Sequence, residues 1–256
     1  MPYTLSHVAV VAPVARLLAR LRVLSAVVIG SMVPDFGYLM PNHPPRFETH
    51  SAIALVTFCL PVGMLSYWIF QRLLKTPLVS VLPDQAYMRW LPYSKPAAWS
   101  SPRQWLLAAG GVLAGAVTHL AWDGFTHEDA RGVRMVPELS DTMLELHGHV
   151  LTGTRVFQDL SSLLGLVTVV ALICYALRGS GRLAVAPRVL NAFERRAWVL
   201  VYVVATLGLC AGFLFLHPAH GIYRWVGSAA ISLLRALVLV TLGVSPLMQW
   251  YLRAKR

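Results

Sequence analysis

The sequence predicts an all-α, polytopic membrane protein, and three observations carry that expectation. Hydrophobic residues make up 57% of the 256 positions and charged residues only 13%, where a soluble domain carries about a quarter charged. The apolar residues gather in runs close to the ~20 residues a helix needs to cross a bilayer core. The basic residues sit in short segments between those runs rather than along one amphipathic face.

Taken in order, the first 50 residues form an interfacial or re-entrant region. Leu5–Leu21 has an apolar face with Arg16, Arg20 and Arg22 at its far end, which suits a helix lying in the interface. Val23–Val33 is apolar but too short to span alone, and Pro34-Asp35 ends it. No charged stretch precedes the first apolar run, so a secretory signal peptide is not expected. Five runs follow: Ser51–Phe70, Trp105–Ala121, Val156–Leu177, Ala197–Leu216 and Gly227–Trp250. They predict about five transmembrane helices in a bundle over 51–250, and one helical membrane domain over 1–256. Arg235 lies inside the last run, where it is costly in lipid unless it faces the protein interior.

The net charge of +11 is read as topology rather than as nucleic-acid binding, for no such signature accompanies it. Residues 71–104 carry five Lys/Arg against Asp84, and Arg178–Arg196 five Arg against Glu194. Trp122–Arg155 instead holds six acidic residues against three Arg. With five spans, the positive-inside rule puts the basic loops and the C-terminus in the cytoplasm and the acidic loop outside, although the N-terminal arginines run against that bias. The basic loops also suit anionic headgroups, so the bilayer itself is an expected partner. Cys59, Cys174 and Cys210 lie inside apolar runs without a CxxC spacing and read as packing residues.

The chemistry is concentrated in Thr118–His127. His119 and Asp123, four apart, leave one helix face a turn apart, which suits two ligands of one metal ion. His127 continues that face or folds back over it after Gly124. Asp35 follows a short apolar helix, His50 opens the first span, and His7 stands near the start of the N-terminal helix. An antiparallel pair of spans brings His50, His119 and Asp123 to one membrane side, with Asp35 one loop away. The segments of His43, His127, His147, His149, His217 and His220 fall on that side too. His43, His217 and His220 read as solvated loop residues.

Such N/O ligands suit Zn²⁺, with Mn²⁺ or Fe²⁺ as alternatives. A water acidified by the ion would be the nucleophile, and two ions would clamp a phosphoester. Arg155 and Arg235 are candidates to steady a phosphate, with His147 and His149 as further substrate-binding candidates, snorkelling being the other account of Arg155.

The segments Met1–His7, Ile29–Phe36, His50-Ser51, Thr118–His127 and Phe157–Ser162 together resemble the bacterial membrane family known as domain of unknown function 4184. That resemblance implies a bacterial inner-membrane protein and supplies no activity. The order His, Asp, His, HxxxD, His is more distantly similar to membrane-bound metal-dependent hydrolases and to zinc-dependent phospholipase C and P1-type nucleases. It implies that Asp35, His50, His119 and Asp123 bind one metal. Asp123 would bridge to a second metal held with His7, and His127 would belong to a third. The chain departs from those enzymes in having no HxxxE pair and no N-terminal Trp. His147 or His149, with Glu145 or Gln158, stand as substitutes for the missing ligands.

Three functions follow. The leading one is a membrane-embedded, metal-dependent hydrolase acting on a phosphoester or lipid-linked substrate at the outer interface. The second is a scaffold or partner-binding protein whose His/Asp network ties helix ends together. The third is a small transporter using Arg235 and Asp159, against which the absence of internal repeats counts.

Overall fold

A computed structural model of the chain describes residues 4–40, 44–94, 101–128, 130–146, 149–178, 188–217 and 221–255. In chain order the α-helices are α1 (Ala15–Arg20), α2 (Leu24–Gly30), α3 (Arg46–Thr49), α4 (Leu60–Ile69), α5 (Lys75–Val81), α6 (Asp84–Trp90), α7 (Pro102–Thr126), α8 (Arg131–Met135), α9 (Gly153–Leu177), α10 (Ala192–Leu216) and α11 (Ile222–Ala254). The 3₁₀ segments Thr4–Val14 and Val33–Leu39 flank α1 and α2. One hairpin, β1 (Thr142–Leu146) against β2 (His149–Thr152), lies in the acidic segment read as loop. Among the described residues the protein is all-α apart from this hairpin.

Among the described residues four helices are long and apolar enough to cross a membrane: α7, α9, α10 and Trp225–Ala254 of α11. Their outward faces carry large apolar side chains, Leu164 at 59% exposure and Leu200 at 61% among them. Only lipid makes so large an apolar surface tolerable.

The fifth expected span is helical but interrupted. π turns at Leu55–Cys59 and Phe70–Leu74 precede α4 and α5. Pro61 and Pro77 follow these turns, and each ring removes the donor that would bond the carbonyl four residues back. Those carbonyls, at Thr57 and Leu73, lie inside the two widened turns.

The Cα packing groups the chain into two compact units. The first takes Met1–Tyr67 and Trp99–Tyr175. Its centre is the contact of α2 with α7, built on small residues. A Cβ on Gly115 would sit 2.2 Å from the Val27 carbonyl oxygen, and one on Gly30 would sit 2.2 Å from that of Val112. Glycine is what lets the two backbones approach so closely. Ala26 on α2 and Val112 and Ala116 on α7 are fully buried, as is Val33 just beyond α2. The buried face of α7 continues as Ala108, Val112, Gly115, His119, Asp123 and Thr126, so the packing stripe runs straight into the polar pair.

The second unit takes Trp68–Ala98 and Ala176–Arg256. There α10 packs along α11, with Leu190, Met248 and Leu252 at the centre. Asn191 and Glu194 form a reciprocal cap at the start of α10, and Glu194 also accepts from Tyr251 and Lys255. Arg188 and Arg195 both donate to the Leu82 carbonyl and both pair with Asp84.

Candidate metal centre

Four elements of the first unit converge on one buried polar cluster. The 3₁₀ segment Thr4–Val14 supplies His7, the segment Val33–Leu39 supplies Asp35, and the residue after α3 is His50. His119 and Asp123 project from α7, and His127 is the residue at its end. All six residues proposed as metal ligands are therefore brought together.

Asp123 stands at the centre. Its Oδ2 lies 3.5 Å from both His50 Nε2 and His119 Nε2, and its Oδ1 lies 3.6 Å from His7 Nε2 and 3.7 Å from His127 Nδ1. Asp35 Oδ1 lies 3.3 Å from His50 Nε2 and 3.7 Å from His119 Nε2. Four ligand atoms, from Asp35, His50, His119 and Asp123, are thus separated by 3.3–3.7 Å along the four edges just given. Imidazole nitrogen and carboxylate oxygen are donors that a divalent metal takes, and the ligand atoms of Asp35, His50 and His119 lie within 4.8 Å of one another.

The orientation of each ring is fixed from behind. His119 Nδ1 lies 2.8 Å from the Ser31 carbonyl, which can only accept, so Nδ1 carries the proton and Nε2 presents a lone pair. Thr49 Oγ1 donates to the Arg46 carbonyl at 3.3 Å and therefore accepts from His50 Nδ1 at 2.6 Å. His50 Nε2 is then also a lone pair facing the cluster. Cys59, at the end of the first π turn, bonds the Thr49 carbonyl at 3.6 Å. The Thr4 hydroxyl donates to Asp35 Oδ2 at 2.7 Å and leaves Oδ1 toward the histidines.

The cluster is left with unmet demand. Nε2 of His7, His50 and His119 and Oδ1 of Asp123 are buried and make no hydrogen bond within the protein. Each such group costs about 1–3 kcal/mol, and four of them lie in this one buried cluster. The atoms of His7, His119 and Asp123 form one group able to hold an ion, and those of Asp35, His50 and His119 another.

Electrostatics favour neutral imidazole and charged carboxylate at the edges of the site. Burial, and then the stacked His119 ring at 3.8 Å, lower the His7 pKa to about 4. Burial also lowers that of His127. Burial pushes the Asp35 carboxyl up, but the His50 imidazole, His119 and the Thr4 hydroxyl outweigh it and hold Asp35 below its ordinary value. Neutral imidazole and ionised carboxylate are the forms that bind metal.

A family model described as "Domain of unknown function (DUF4184)" matches residues 1–246. The chain belongs to this family. The match takes in every residue of the cluster in this DUF4184 member. No curated protein and no solved structure matches the chain.

The candidate substrate residues fall elsewhere. Arg155 is exposed and pairs with Asp159 at 3.1 Å, one turn along α9. Arg235 is half-buried in α11, within the second unit. His147 lies outside the described residues, as do His43 and His220, while His149 is placed by its backbone in β2. Glu145 and His217 are exposed, and Gln158 is buried in α9.

The sequence reading missed Arg46. Its guanidinium donates to Asp123 Oδ2 at 2.6 Å, with the side chain 39% exposed. The available signal was its place four residues before His50, just after Pro44-Pro45, where proline starts a helix that turns both side chains to one end.

Proposed function

We propose that this protein is a membrane-embedded, metal-dependent hydrolase acting on a phosphoester or lipid-linked substrate at the membrane interface. The reading rests on one observation: ligand atoms of Asp35, His50, His119 and Asp123 meet in one buried cluster at 3.3–3.7 Å, where three imidazole nitrogens make no hydrogen bond within the protein. Zinc is the first candidate, with manganese and iron(II) as alternatives. Asp123, His7 and His127 would hold a second ion.

Bound there, such an ion would supply Lewis acidity toward a substrate oxygen and would acidify water at neutral pH. The protein's own groups supply the rest. Ser31 and Thr49 hold the His119 and His50 rings in the ligating tautomer. Arg46, partly exposed at the edge of the cluster, can release Asp123 and pair with a phosphate oxygen, which its planar fork matches well. The proposed setting is the bacterial inner membrane, with the cluster on the outer side and the C-terminus in the cytoplasm.

The test is metal analysis of protein purified in detergent without chelator, beside a His119→Ala/Asp123→Ala variant. Near-stoichiometric zinc, manganese or iron in the wild type and its loss in the variant is the expected result. A folded wild type that stays metal-free after reloading would sink the reading. It would then favour a scaffold whose polar network ties helix ends together, to which the Arg46–Asp123 contact at 2.6 Å lends weight.

A further inference from the structure

We infer that a groove beside the cluster holds one hydrocarbon chain of a membrane lipid and delivers its headgroup linkage to the metal centre. The inference rests on the hydrolase reading only for what happens at the headgroup end. The groove has a volume of about 270 Å³ and lies between the Thr4–Val14 segment, α7 and α9. His7, Ala9, Trp122, Phe157, Leu164 and Thr168 mark its course.

Three observations choose the occupant. First, the walls are mostly apolar, and the hydroxyls along α7 and α9 are already spent. The hydroxyls of Thr118, Ser161 and Thr168 all donate to carbonyls of their own helices, at 2.6, 3.1 and 2.8 Å. Trp122 Nε1 is spent on Ser161, and its ring stacks on Phe157.

Second, the dimensions fit one lipid tail. The lining of α9 runs from Phe157 to Thr168, about 16 Å of helix and so close to half of a ~30 Å hydrocarbon core. The walls belong partly to helices able to cross a membrane, and Leu160 and Leu164 on the rim are exposed, so a chain can enter sideways from the bilayer.

Third, the groove borders the cluster. His7 lines it and also stacks on His119, and its Nε2 lies 3.6 Å from Asp123 Oδ1, so a chain lying in the groove runs beside the site. Moving a chain from lipid to an apolar wall gains little. The groove therefore sets position, and the headgroup contacts set affinity.

The test uses the full chain in vesicles of phosphatidylethanolamine and phosphatidylglycerol containing a trace of phosphatidylglycerol with a mid-chain diazirine. Irradiation and peptide mapping, with zinc and with chelator, should label Ala9, Val10 and Leu164 about tenfold above Leu200 and Val204 of α10, the factor one charge-assisted headgroup contact gives. Ala9→Phe, and separately Thr168→Phe at the far end, should abolish that enrichment while the α10 labelling stays. Labelling no stronger in the groove than on α10 overturns the inference, as does cross-linking of the groove to a second protein chain instead of lipid. The readout needs no turnover, so the two readings fail separately. Groove labelling without cleavage of any lipid counts against the hydrolase alone, and cleavage with uniform labelling counts against the groove alone.

Discussion

His119 Nδ1 lies 2.8 Å from the carbonyl oxygen of Ser31, residues 88 positions apart in the chain. This contact joins the packing of the first unit to its chemistry. Ser31 is the residue that ends α2, and α2 reaches α7 only because Gly30, Gly111 and Gly115 let the backbones close up. The same approach that buries Val33 and Val112 thus supplies the acceptor that fixes the His119 tautomer.

Gly115→Ala should therefore damage both. The new Cβ would meet the Val27 carbonyl oxygen at 2.2 Å and the Ser31 nitrogen at 2.5 Å, neither of which is a flexible side-chain end. Overpacking of this kind costs about 1–3 kcal/mol, read as a lower unfolding temperature in detergent together with weaker metal retention. Gly110, on the same helix with nothing within 4 Å of a built Cβ, is the control. Gly110→Ala should be neutral or slightly stabilising through helix propensity, worth up to about 1 kcal/mol.

How much of this was legible in the sequence varies by element, for physical reasons. The HxxxD pair was readable because helical periodicity alone puts His119 and Asp123 on one face. Four spans were readable from apolar run length, though α7 extends from Pro102 to Thr126, beyond the apolar core of Trp105–Ala121. The interrupted span was not, because the π turns answer Pro61 and Pro77 locally without altering the apolar composition. Arg46 was not, because its pairing with Asp123 spans 77 residues and no local period encodes it. The hairpin at Thr142–Thr152 was read as loop; its two strands are short and pair only with each other, and the acidic residues around them set the polar character of the segment.

Thr49→Val should weaken metal binding by about tenfold or more, the usual effect of losing a group that orients a ligating histidine. The methyl cannot accept from His50 Nδ1, so the ring loses the contact at 2.6 Å that turns its Nε2 lone pair to the site. Thr49→Ser keeps the acceptor and should bind as the wild type does. Competition with a chromophoric chelator measures both. Equal affinities in all three proteins would remove Thr49 from the account.

Metal-free protein should lose stability as the pH falls through mildly acid values. His7 has its folded pKa lowered from 6.5 to about 4, so between those values the unfolded chain binds a proton that the folded one refuses. Stability then rises with pH across that window and falls on acidification. Asp35, held below 3.8, adds a loss only under that value. Unfolding temperatures in chelator between neutral pH and about pH 5 should therefore decline in the wild type and decline less in His7→Gln. The same slope in both proteins would show that His7 is not the group responsible.

Arg46→Met separates the metal centre from a purely structural network. Without an ion, the Arg46 guanidinium is the nearest fixed cation to Asp123, at 2.6 Å from a carboxylate whose side chain is 5% exposed. Removing it leaves that buried charge short of a partner, a loss of at least about 1–3 kcal/mol. A divalent ion on Asp123 replaces the missing charge and stabilises the folded state by mass action. The variant should therefore melt well below the wild type in chelator and close to it in saturating zinc. If the cluster only ties helix ends together, zinc has no place to act and the gap between the proteins stays the same under both conditions. The unfolding temperature of each protein, with and without zinc, reads the difference directly.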